Sequence, residues 1–161
     1  MWLQGPTSLI ASQASTGLIS TYIAPALSQL NKASSIKAVY DEYRLLKVRF
    51  HVRPATLSPG TTKFVLDDAD ATTPDQTWAD SVRGYMLSNN SSDPKSTRTF
   101  TYASQDFDDL AWQSTYSDAT YTPCALKMFS SLAAYGTPTS TNIWVITWEG
   151  LFEFRGIGAN Q

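Results

Sequence analysis

The clearest pattern in the chain is an alternation. From Asn142 to Gly156 (NIWVITWEGLFEFRG), Trp144, Ile146, Trp148, Phe152 and Phe154 hold even positions, while Thr147, Glu149, Glu153 and Arg155 hold odd ones. Successive side chains of a β-strand point to opposite faces, so this period of two predicts one long strand that is apolar on one side. A second alternation runs through KVRFHVRP. Val48, Phe50 and Val52 fall on one face, and Lys47, Arg49, His51 and Arg53 on the other. This strand is placed at Arg44–Pro54. Its apolar face belongs in a core; its basic face needs another destination.

Shorter signals fill in the rest. Leu18–Leu30 predicts a strand bent near Pro25, because proline cannot donate to a ladder. Ile36, Val39, Tyr40 and Tyr43 recur at helical spacing, and Ser34 or Ser35 can cap the start, so a short helix is expected there. Pro59-Gly60 reads as a turn and Thr61–Leu66 as the next strand. In TTPDQTWADSVRGYM, Thr73 is the expected N-cap, Pro74 fits the first helical position, and Gln76 closes a capping box. Trp78, Val82 and Tyr85 then form the apolar face of a second short helix. SNNSSDPKS reads as a polar loop, TRTFTY as a strand, and Ala125–Ala133 as another. About eight strands with irregular connections and no βαβ alternation predict an all-β sandwich or jelly roll. No repeat or flexible linker divides the 161 residues, so one domain is expected over 1–161, with its strand-bearing core at about 16–156.

Composition narrows the function classes. Charged residues make up only 16% and the formal net charge is −2, which argues against a general nucleic-acid binder. The charge is uneven, however: six of the 12 basic residues lie between Lys32 and Arg53, and the acids lie mainly between Asp67 and Asp118. Cys124 is the only cysteine, which leaves no intrachain disulfide or cysteine-based zinc site and suggests a small buried apolar residue. The start, MWLQGPTSLIASQ, lacks the charged and continuously apolar regions of a signal peptide. No apolar run approaches the roughly 20 residues of a membrane span.

Three stretches carry candidate chemistry. FVLDDADATTP places Asp68-x-Asp70 after an apolar strand, as haloacid-dehalogenase-like phosphatases do. Those enzymes need a parallel α/β sheet and a later lysine ahead of an acidic pair, and here Asp108 and Asp109 precede Lys127. The same Asp67, Asp68 and Asp70 can supply oxygens to calcium with help from a neighbouring chain, or can simply hydrogen-bond their own turn. His51 is the only histidine, so no triad or two-histidine metal site forms within one chain. The many aromatics allow a lectin-like jelly roll that stacks sugars, although most of them fall on predicted core faces.

AVYDEYRLLKVRFHVRP resembles a segment of small icosahedral virus coat proteins, in which a helix ends in aromatic-Asp-x-Tyr-Arg and runs into a strand. Tyr40, Asp41, Tyr43, Arg44, Val48 and Phe50 match it position by position. FVLDDADATTP resembles the strand and acidic turn that follow there, and TWEGLFEFRG, with Phe154, Arg155 and Gly156, the closing strand. The ordered set is similar to the shell domain of tombusvirus-like, sobemovirus-like and related circular single-stranded DNA virus coat proteins. The resemblance implies an eight-stranded jelly roll with two short connecting helices, no catalysis, and self-assembly into a closed icosahedral shell around a genome, located in the virion and assembled inside the host cell. Such proteins usually carry a basic N-terminal arm, which is expected to lie outside this sequence or to be dispensable, and no protruding domain is expected after Gly156. The basic face of Lys47, Arg49, His51 and Arg53 is then expected to meet acids of the 67–118 region on another copy, ahead of packaged nucleic acid.

Overall fold

The computed structural model describes residues 1–68, 71–94, 96–105 and 107–156. Its longest strand is β10 (Asn142–Arg155), flanked on one side by β4 (Glu42–Pro54) and on the other by β1 (Trp2–Gln4) and β2 (Ser8–Ala11). β7 (Arg98–Ala103) and the two-residue β8 (Gln113–Ser114) pair with the far side of β4, and complete the first sheet. A second sheet has the order β3 (Ile19–Ile23), β9 (Ala125–Ser130), β5 (Leu57–Asp67), β6 (Tyr85–Asn90). All pairings are antiparallel. The helices are short: α1 (Ala33–Lys37), α2 (Gln76–Ser81) and α3 (Leu132–Tyr135).

β1 and β2 lie end to end along β10, and β8 continues the line of β7 along β4. Each pair therefore acts as one interrupted strand, which resolves the ten described strands into eight rows, four in each sheet. The chain crosses between sheets at almost every connection, and the result is a jelly-roll sandwich. Its interior is formed by the predicted faces: Val48, Phe50 and Val52 from β4, Trp144, Ile146, Trp148 and Phe152 from β10, with Phe64, Leu126 and Met128 opposite. Phe64 stands edge-on to Trp144 with ring centroids 5.0 Å apart, a favoured aromatic geometry across the two sheets.

The inward phase of β4 changes once. Tyr43 and Leu45 are buried before it and Val48, Phe50 and Val52 after it, because β10 pairs Leu151 with Lys47 and Phe152 with Leu45, leaving Leu46 as the extra residue of a bulge. Without that extra residue, one half of the strand would turn its apolar side to solvent.

Several expectations are corrected. The first helix ends at Lys37, and Tyr43 lies in β4, where its hydroxyl donates to the Asp118 carbonyl at 2.7 Å. Burial inside the sandwich outweighs the helical spacing. The N-cap of α2 is Asp75, which accepts from Trp78 N–H at 2.7 Å, so Thr73 and Pro74 precede the cap and Tyr85 belongs to β6. Pro59-Gly60 is a bulge within β5, with Gly60 at φ +86° packed where any Cβ would meet the Gly136 backbone at 2.6 Å. Ser88–Asn90, expected in a loop, finish β6, and residues 132–133 form α3 and not strand. Strand structure also begins at Trp2, well before residue 16.

The missed β6 is explained by Asn89, a fully buried polar residue. Trp144 Nε1 donates to Thr62 Oγ1 at 2.9 Å, Thr62 donates to Asn89 Oδ1 at 2.8 Å, and Asn89 Nδ2 reaches Thr137 Oγ1 at 2.9 Å. Satisfied on both sides, the amide is tolerated in the interior.

Candidate functional site

The outward face of the six-stranded sheet gathers the residues expected to act. The pairing registers lay it out in levels: Leu9, Val145 and Arg53; then Thr147, His51 and Thr99; then Gln4, Glu149, Arg49 and Thr101; then Trp2, Leu151, Lys47 and Ala103. Lys47, Arg49, His51 and Arg53 therefore share one face, as their alternation requires.

The first acids they meet come from the same chain. Arg49 lies 3.2 Å from Glu149 and stacks over Trp2 at 4.5 Å, while His51 Nε2 lies 3.6 Å from the same carboxylate and Nδ1 3.2 Å from Thr99 Oγ1. Arg44 pairs with Glu153 at 2.6 Å and Arg155 with Glu42 at 2.6 Å. The Arg155 hydrogen bond holds the Glu42 carboxyl below its ordinary range. Among the described residues, no ion pair takes in Lys47 or Arg53. Sequence reading had placed Glu149 and Glu153 on the polar side of the last strand without assigning them a partner. Their register against Arg49 and Arg44 appears only once β4 and β10 are paired.

The motifs behind the resemblance come together at the foot of the same two strands. Tyr40 stacks on Phe154 with centroids 5.2 Å apart, Arg44 faces Glu153, and Trp112 lies under both Arg44 and Arg155 at 4.6 and 4.2 Å. Gly156, at φ +75°, abuts Asp41, and a Cβ there would lie 2.9 Å from its carboxylate. Tyr43 is fully buried, and burial pushes its hydroxyl well above the usual tyrosine range. Residues more than 100 positions apart thus form one packed cluster at the foot of β4 and β10.

The acidic turn after β5 divides. Asp67 pairs with Lys127 at 2.9 Å. Asp68 lines a cleft of about 210 Å³ with Asp109, Tyr121 and Cys124, and Asp70 lies outside the described residues. Burial, with Asp109 and Asp68 nearby, raises the Cys124 thiol and keeps it neutral. Among the described residues, no three His, Cys, Asp or Glu side chains gather as a metal site. A calcium ion at Asp68 and Asp109 would take further oxygens from backbone carbonyls or from a second chain. Asp68 follows a strand of an antiparallel sheet, not the parallel sheet that the phosphatase pattern requires. The large aromatics Trp144, Trp148, Phe50, Phe64 and Phe152 are buried, so they present no sugar-stacking platform.

Lys127 enters the sequence reading only as the lysine weighed for the phosphatase pattern. It is 1% exposed on the outward side of β9, held by Asp67 and Thr72 and covered by the Trp78 ring of α2. Nothing in its apolar surroundings, ALKMFS, announced a partner.

No protein-family model and no curated protein matches this sequence. Solved structures are similar along nearly the whole chain. A chain of tobacco necrosis virus superposes with a TM-score of 0.62 at 14% identity, covering 98% of this chain and 96% of that one. A deletion mutant of the Penaeus vannamei nodavirus capsid protein, in a T=1 subviral particle, gives 0.60 at 9% identity, covering 99% and 100%. The decameric BFDV capsid protein gives 0.55 at 15% identity, covering 97% and 98%. At such identities the likeness is one of fold, and the fold is that of jelly-roll capsid proteins.

Proposed function

We propose that this chain is the shell subunit of a small icosahedral virus capsid, which assembles with copies of itself around a genome and has no catalytic role. The observation that carries this reading is coverage: capsid folds match the chain and are themselves matched almost end to end. The whole sandwich is accounted for as a shell-building unit. The place of such a subunit is the virion, assembled in the host cell.

The bare face of the six-stranded sheet belongs to the same reading. Arg44, Lys47, Arg49, Arg53 and Arg155 face Glu42, Glu149 and Glu153, which leaves a surplus of two cations on this face of a −2 chain. Two cations release few counterions from a polyanion, so this face is read as a contact with a neighbouring subunit's acids, with packaged nucleic acid second. Calcium, if it enters, bridges subunits at Asp68, with Asp67 and Asp70 beside it in sequence. Chelation then loosens particles at neutral pH and not at acid pH.

Electron microscopy and sedimentation of the purified chain test the reading, which requires closed particles. A chain that stays monomeric across concentration and salt overturns it. Replacing Lys47, Arg49 and Arg53 together with alanine weakens assembly if they contact a subunit; normal assembly with less packaged nucleic acid assigns them to the genome instead.

A further inference from the structure

The four-stranded sheet ends on one side at β3, and among the described residues no strand pairs with its outer edge. Natural proteins blunt such edges with lysine, proline or a bulge, because the open row of N–H and C=O groups invites another strand. β3 reads ISTYI and has none of these, and its pairing with β9 runs without a register shift. Beside it lies a groove of about 610 Å³, walled by Thr21–Ala24, the Pro6–Ser8 linker and Trp148. Among the described residues, no Asp, Glu, Lys, Arg or His lines it. Trp148 is 1% exposed, and its Nε1 is the one buried side-chain polar atom among the described residues without a hydrogen-bond partner.

The sequence names the occupant. Residues 1–31 carry no charged side chain, the first being Lys32, and they build this whole side of the molecule: β1, β2 and β3. A neutral, strand-edged surface is complementary to itself, and self-complementary patches meet about a two-fold axis. We infer that two copies join here, with β3 of one pairing antiparallel to β3 of the other across a two-fold axis. The inference rests on the shell reading, since it takes a second copy as the partner.

Hydrogen exchange, disulfide trapping and a charged variant test it together. Amides of Ile19–Ala24 are expected to exchange at least tenfold more slowly in particles than in the dilute chain. Thr21→Cys, at the centre of β3, is expected to give disulfide-linked dimers on mild oxidation, and the wild-type chain, with only the buried Cys124, none. Tyr22→Glu, at a partly exposed edge position opposite Lys127, is expected to keep the wild-type melting curve and to raise the concentration needed for association at least tenfold. Particles whose β3 amides exchange at the dilute rate, with no Thr21→Cys dimers, overturn the two-fold contact and leave the shell reading standing. A chain that never associates overturns both.

Discussion

Lys127 and Arg49 both stand on strands at the outward side of the sandwich, and each meets a carboxylate of its own chain at close range. Their surroundings differ. α2 and α3 close over the four-stranded sheet: Lys63 donates to the Val82 carbonyl at 2.5 Å, Trp78 covers Lys127, and Tyr135 packs on Phe129. The six-stranded sheet stays open, with side-chain exposures of 42% for Arg49 and 33% for Glu149 against 1% for Lys127. An ion pair in water gains little Coulomb energy that solvent does not already supply. A cation removed from water depends on its partner for nearly all of its solvation. The closed face therefore uses charge to fasten α2 and the 71–75 segment, and the open face leaves its charges in contact with solvent.

The largest effect expected from this contrast is at Asp67. Asp67→Ala takes a carboxylate at 2.9 Å away from the buried Lys127, and should lower stability in chemical denaturation by more than any change on the open face. Adding Lys127→Met, which removes the buried charge and keeps the volume, should restore part of the loss. If the double variant is no more stable than the single one, the buried pair is not what fastens this face.

Next comes the interior of the same sheet. Thr62→Val keeps the shape but strips Trp144 Nε1 of its acceptor and Asn89 Oδ1 of its donor. The expected cost is about 1–3 kcal/mol, measured by thermal or urea unfolding. A neutral outcome would mean that water replaces the hydroxyl.

Arg49→Ala on the open face should cost no more than about 1 kcal/mol, and the difference from wild type should shrink in 1 M salt. Its stacking on Trp2 is lost too, so quenching or a spectral shift of tryptophan emission reports the change independently. A cost comparable to Asp67→Ala would erase the distinction between the two faces.

The smallest effect concerns pH. Glu42 sits below its ordinary value of 4.5 in the folded chain because Arg155 hydrogen-bonds its charged form. A lowered folded pKa gives stability that is present above the unfolded value and fades as pH falls through the folded one. Melting temperatures of wild type and Glu42→Gln should therefore differ slightly at pH 7 and converge in acid.

The period of two over Asn142–Arg155 and over Lys47–Pro54 dictated two long strands, their buried faces and an all-β sandwich, since burying an alternating face allows little else. The motifs holding Tyr40, Asp41, Tyr43 and Arg44 and holding Phe154, Arg155 and Gly156 were legible as an ordered resemblance, and their packing against each other was not. Local rules misjudged Tyr43 and Asn89 for one reason: each reads differently by propensity than by the partner that long-range packing brings to it. Helical spacing gave way to burial at Tyr43, and polarity gave way to a satisfied network at Asn89. The closing of one sheet and the opening of the other, the pairing of Arg49 with Glu149, and the burial of Lys127 beside Asp67 were decided only by tertiary structure. They depend on register between strands 50 to 110 residues apart, and a one-dimensional pattern gives each strand's faces without saying which residue stands opposite which.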